Sequence, residues 1–153
     1  LTYPQQPDSD TLALALQAQF KEHGIRVTIR QVSDTTAEME GSNWDIGVVS
    51  NGTVSFGGNP IPPLQRYYRT GGNRNYSHIS DPELDALIDE LAVTLDGTAA
   101  KDLLVKIQQR IGDQGYNGFC GRRRPAVVVG QRVPNYTPQH ALIWVDASTR
   151  VGA

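Results

Sequence analysis

From Leu1 to Val49 the chain alternates between strand-like and helix-like segments, and this alternation restricts it to a layered α/β fold. Leu1 to Tyr3 is a short apolar strand closed by Pro4 and Pro7. Asp8-Ser9-Asp10 offers an N-cap and early acidic charge for a helix that runs to about His23. Leu12, Leu16 and Phe20 recur at four-residue spacing, with Ala13 and Ala15 beside them, as one packing stripe. Gly24 suits the residue after the last helical turn. Ile25 to Val32 alternates apolar and polar residues and is rich in β-branched side chains, which predicts a strand. A weaker helical turn over 33–41 precedes an apolar run, Trp44 to Val49, which reads as a third strand. Two strand–helix–strand units in succession predict parallel strands with right-handed crossovers.

Beyond Val49 the character changes. Residues 51–63 are rich in glycine and proline and fit neither a helix nor a central strand. Leu64 to Tyr68 predicts a short helical turn, and Thr70 to His78 a polar loop. Ser80-Asp81-Pro82-Glu83 is a helix start, with Ser80 as the cap and Glu83 as its capping-box partner. Leu84, Leu87, Ile88, Leu91 and Leu95 mark the buried face of that helix. Ala100, Leu103, Leu104, Ile107 and Ile111 mark that of the next, and the two form an αα-hairpin over 81–112. Residues 125–129 predict a further strand, 133–138 a proline-bounded loop and 142–145 a last apolar segment.

Composition removes several functions. The net charge is −2, with 14 basic against 16 acidic residues, which argues against bulk attraction to nucleic acid or anionic membrane. Arg122-Arg123-Arg124 is the only basic run and reads as a solvated turn. No apolar run approaches the roughly 20 residues that span a bilayer. The single cysteine, Cys120, reads as a half-buried small apolar residue. His23, His78 and His140 are scattered, and no metal-ligand spacing occurs, so neither a metal site nor a cofactor is expected. Asp81, Glu83, Asp85, Asp89 and Glu90 read as helix-dipole and solubility charges on an exposed face.

The junction after Val49 is the candidate site, because ligands of open α/β sheets lie just outside the carboxyl ends of the strands. Ser50, Asn51, Gly52, Thr53 and Ser55 offer hydroxyls, an amide and backbone N–H groups, and Phe56 and Tyr76 an apolar wall. With no resident base, the set suits hydrogen bonding to a ligand better than bond breaking. Tyr67, Tyr68 and Tyr76 either stack on a ligand or cap a core edge. Two alternatives stay open: a small α/β hydrolase-like enzyme centred on Ser50 or Ser55, served by His78 or His140, and a protein–protein interaction domain.

Four stretches, in order, resemble one family. They are Leu1-Thr2-Tyr3-Pro4 with its helix and Gly24-Ile25-Arg26-Val27; Trp44-Asp45-Ile46-Gly47; Asn75-Tyr76-Ser77 with Ser80-Asp81-Pro82-Glu83-Leu84-Asp85-Ala86-Leu87; and Val127-Val128-Val129 with Val133-Pro134-Asn135-Tyr136. The third is similar to the pattern N-x-S-x-x-S-N-P-E-L-D-x-L, and the fourth to V-x-x-x-V-x-G-Y. The family is that of the extracytoplasmic solute-binding proteins of ABC importers, in the peptide/nickel group (family 5). The resemblance implies a periplasmic-binding-protein type II lobe. Its mostly parallel sheet has strands near 1–3, 25–32, 44–50 and 125–129, with flanking helices. Residues 1–153 would form a single domain, most of the C-terminal lobe of a longer two-lobe protein. It further implies a non-catalytic role: capture of a peptide, nickel chelate, sugar or similar solute, closure against the remaining lobe, and delivery to permease subunits. The setting would be the periplasm, or the cell surface as a Gram-positive lipoprotein. Peptide binders of the family carry an acidic residue in a G-A-D-Y-P-D-P loop. The matching stretch here, Val49 to Ser55, has none, and an ammonium group buried there would lack a counter-charge.

Overall fold

Three parallel segments form the sheet, and a computed structural model shows the central one to be β1, Thr2–Pro4. The structure describes residues 1–41, 43–49, 58–121 and 131. The chain divides into two units, Leu1–Phe119 and Cys120–Ala153. The expected strand at 125–129, Arg122 to Arg124 and the later segments lie outside the described residues.

β1 pairs in parallel with β2, Arg30–Val32, in the register Thr2 with Arg30 through Pro4 with Val32. On its other edge Thr2 makes an isolated parallel bridge to Gly47. There Thr2 N donates to Ile46 O at 2.7 Å, and Val48 N donates to Thr2 O at 2.8 Å. The expected parallel arrangement is therefore present, with shorter strands. β1 offers ladder partners to only three residues of the alternating 25–32 segment. Residues 25–29 run on without a ladder, although Val27 and Ile29 still pack against the sheet cluster and Gln17 Nε2 donates to Val27 O. Trp44 also leaves the expected strand: its indole donates to Met39 O and Gly41 O.

Helix α1, Pro7–Glu22, crosses from β1 to β2. Its cap is Gln6, without a side-chain bond, in place of the expected Asp8-Ser9-Asp10, because proline in the first turn starts the helix earlier. Gly24 has φ +77°, as a terminating residue requires. Ala13 is fully buried, and around it Leu1, Tyr3, Leu16 and Ile46 form the sheet core. Helix α2, Thr35–Glu40, carries the chain from β2 back to the 46–48 segment, capped by Asp34 through Thr36 N and Ala37 N. A Cβ at Gly47 would lie 2.6 Å from Met39 Sδ, so a glycine there lets α2 lie against the sheet edge.

A second core forms around the helical hairpin. Helix α3, Ile61–Tyr67, starts where Asn59 Oδ1 accepts Ile61 N, with prolines in its first turn. Helices α4, Pro82–Val93, and α5, Gly97–Asp113, form the expected hairpin. Leu84, Ile88 and Leu91 interlock with Leu103 and Ile107, flanked by Leu87, Ala100, Leu104 and Ile111. Leu95 breaks the expected stripe. It is fully exposed because α4 ends at Val93. Two further expectations are corrected. The α4 cap is Asp81, with Ser80 outside, because the proline at the first helical position fixes the cap one residue before it. In the other unit Cys120 is exposed, where half-burial was expected.

Candidate functional site

All three parallel segments point their carboxyl ends toward one cleft. Pro4 ends β1 and Gln6 follows it, Thr35 and Thr36 follow β2, and Val49 ends the third segment. Met39 lies between them, and Tyr67, Arg74 and Tyr76 close the opposite wall. The cavity measures about 190 Å³. A second, of about 440 Å³, shares Met39, Val49, Tyr67, Arg74 and Tyr76 and extends past Trp44 and Asp45 to Tyr116 and Asn117. The described site is thus where open α/β sheets bind ligands.

The far wall is held rigidly. In the turn after α3, a Cβ at Gly72 would fall 2.5 Å from Gln65 O and 2.6 Å from Arg66 O, so no larger residue fits. Arg74 N donates to Arg66 O at 2.9 Å, and Asn75 bridges Arg69 O and the Ile79 backbone with its side-chain amide. Arg69 pairs with Asp89 through two bonds of 2.9 Å, and Asp85 accepts Thr70 N. Two of the acidic residues expected to be solvent charges therefore anchor this wall.

Asp81 also departs from the expected exposed face and is only 4% accessible. Its Oδ1 accepts Glu83 N and Leu84 N as the helix cap. Arg110 grips both oxygens, with Nε to Oδ2 at 2.6 Å and Nη2 to Oδ1 at 2.8 Å, and also pairs with Glu83. Tyr116 Oη donates to Oδ2 at 3.1 Å. The Arg110 hydrogen bonds, outweighing desolvation, hold the Asp81 carboxyl down to about 2. Burial first, then the bond to Asp81, pushes the Tyr116 phenol up.

Of the expected site residues, the structure brings Tyr76 into the cleft, with Tyr67 and Tyr68 lining it as well. Ser50, Asn51, Gly52, Thr53, Ser55 and Phe56 lie outside the described residues, as does His140. His78 is exposed, at φ +52°. The sequence reading missed Arg74, a guanidinium with no carboxylate partner among the described residues. Its signal was its place two residues before Tyr76, the residue expected to form an apolar wall of the site. The Tyr76 Oη is buried and also lacks a hydrogen-bond partner among the described residues. Arg74 and Tyr76 line the same cleft as Tyr67 and Met39, a set that can receive an anionic oxygen and pack an apolar body against it. Among the described residues no three His, Cys, Asp or Glu side chains group as a metal site.

The fold is similar to part of several ABC-transporter substrate-binding proteins, two of them nickel proteins. No protein-family model and no curated protein matches it, so the assignment rests on solved structures. The nickel ABC transporter protein of Bacillus halodurans superposes with a TM-score of 0.64 at 33% identity, over 74% of this chain and 24% of its own. NikA from Staphylococcus aureus, solved with Ni(L-His)2, gives 0.64 at 25% identity over 71% and 23%. The substrate-binding protein CtaP from Listeria monocytogenes gives 0.59 at 29% identity over 74% and 24%. The chain spans about a quarter of the length of these proteins.

Proposed function

We propose that this chain is most of the C-terminal lobe of an ABC importer's solute receptor, and that it takes up an extracytoplasmic solute bearing a carboxylate. The observation that supports this best is the cleft at the shared carboxyl ends of the parallel segments, with Arg74 and Tyr76 in its wall. Arg74 supplies the charge for a carboxylate, and Tyr76 a hydrogen bond. Ser50, Asn51, Gly52, Thr53, Ser55 and Phe56 follow Val49 in the sequence, and we assign to them neutral contacts with the same solute. The Ni(L-His)2 bound by one of these neighbours suggests amino-acid chelates of nickel as one cargo class, and the family resemblance adds short peptides as another. Such a receptor performs no bond chemistry. Ligand contacts on both lobes favour the closed form, and the closed form docks on the permease. It works outside the cytoplasm, in the periplasm or tethered as a lipoprotein. Among the described residues no helix is long and apolar enough to cross a membrane.

A thermal-shift screen of the complete protein tests this with nickel(II)–histidine, short peptides and neutral sugars. A ligand at a hundred times its Kd stabilises the native state by about 2.7 kcal/mol. The expected result is a rise with carboxylate-bearing probes alone. A rise with neutral sugars alone would overturn the ligand class, and no rise with any probe would count against the receptor role.

A further inference from the structure

We propose that Asp81 is a positioning residue that fixes one wall of the larger cleft by holding Tyr116 and the segment that follows it; this rests on the cleft being the solute site. Capping α4 asks little of this residue. Two acceptor bonds, from Glu83 N and Leu84 N, suffice, and serine or asparagine would supply them equally well. Asp81 accepts three more, two from Arg110 and one from Tyr116 Oη, and these bonds are spread over two accepting oxygens, which serine and asparagine lack. Its backbone N–H is taken up by Thr70 Oγ1 at 3.3 Å. The residue therefore ties three places together: the loop after α3, the start of α4 and the end of α5.

What lies beyond the end of α5 gives the tie its consequence. Gly115, at φ +66°, turns the chain out of the helix, and Tyr116 and Asn117 then line the cleft. Two side-chain bonds fasten this turn, Tyr116 Oη to Asp81 and Asn117 Nδ2 to Tyr68 Oη at 2.7 Å. Tyr68 lines the same cleft. Asp81 does not line it. It acts through Tyr116, while Arg110 keeps the carboxylate charged and aimed. The hairpin core needs none of this, since Leu84, Ile88, Leu103 and Ile107 are already fully or nearly fully buried.

Two variants of the complete protein, Tyr116→Phe and Asp81→Asn, separate positioning from bulk stability. Tyr116→Phe removes only the phenol bond and leaves the Arg110–Asp81 pair and the cap. Amide hydrogen exchange should quicken about ten-fold at residues 115–118, as loss of a bond to a charged acceptor implies, with exchange in α4 and α5 unchanged. Nickel(II)–histidine should bind more weakly in both variants. If Asp81→Asn disrupts the hairpin, Tyr116→Phe decides. Exchange at 115–118 identical to wild type would overturn the inference, as would quickening spread evenly through α4 and α5. Failure of the wild type to bind nickel(II)–histidine strikes the choice of solute instead, and the exchange result stands on its own.

Discussion

At the residue scale, Asp81 shows how a motif can be visible while its role is not. The Ser-Asp-Pro-Glu start was legible in the sequence, but the cap fell on Asp81, and its partners Arg110 and Tyr116 lie 29 and 35 residues away. Local spacing carries no trace of such partners. The pairing has a consequence for acid stability. The folded pKa of about 2 lies below the ordinary 3.8, so the contribution of Asp81 is fully present above about pH 3.8 and is lost as pH falls toward 2. Denaturant melts from pH 5 to pH 2 should show this loss in the wild type and a shallower one in Asp81→Asn. Equal slopes would mean that Arg110 does not hold the charge.

At the element scale, legibility followed the amount of local signal. The leucine and isoleucine stripes of α4 and α5 placed the hairpin to within a few residues, because a helix buries its own periodic face whatever else surrounds it. Leu95 failed because the stripe outlasted the helix. The strands were overextended for a different reason. Alternation shows that Ile25 to Val32 can be a strand, but a ladder forms only where a neighbour supplies partners, and β1 does so for three residues. Gly72 had no sequence signature beyond its Gly71 neighbour. Its requirement comes from the carbonyls of Gln65 and Arg66 pressing on it. Gly72→Ala should destabilise the native state by roughly 2 kcal/mol through overpacking of backbone that cannot retreat. Gly71→Ala should cost less, since only its φ of +74° opposes a side chain and nothing lies within 4 Å. Equal melting temperatures for the two variants would refute that difference.

At the scale of the whole molecule, the parallel layer was readable from the order of the segments, and a cleft does lie at their carboxyl ends. Strand–helix–strand order sets the carboxyl ends together, and Pro4, Thr35 and Val49 do converge there. The lining of that cleft was only partly readable. Tyr76 was anticipated, whereas Arg74 stayed hidden because a lone arginine in a polar loop looks like any solvated charge until its neighbours are known. Arg74, Tyr67 and Tyr76 line the cleft, and the proposed anionic solute would fit them as well as the lack of any acidic residue over residues 49–55. The central claim is that this cleft holds a carboxylate-bearing solute, and calorimetric titration of the complete protein with nickel(II)–histidine, wild type against Arg74→Ala, tests it most directly. We expect wild type to bind and Arg74→Ala to lose about ten-fold or more in affinity, as loss of a charge-assisted bond requires, with an unchanged melting temperature for the free protein. Equal affinity in the two proteins would contradict the account.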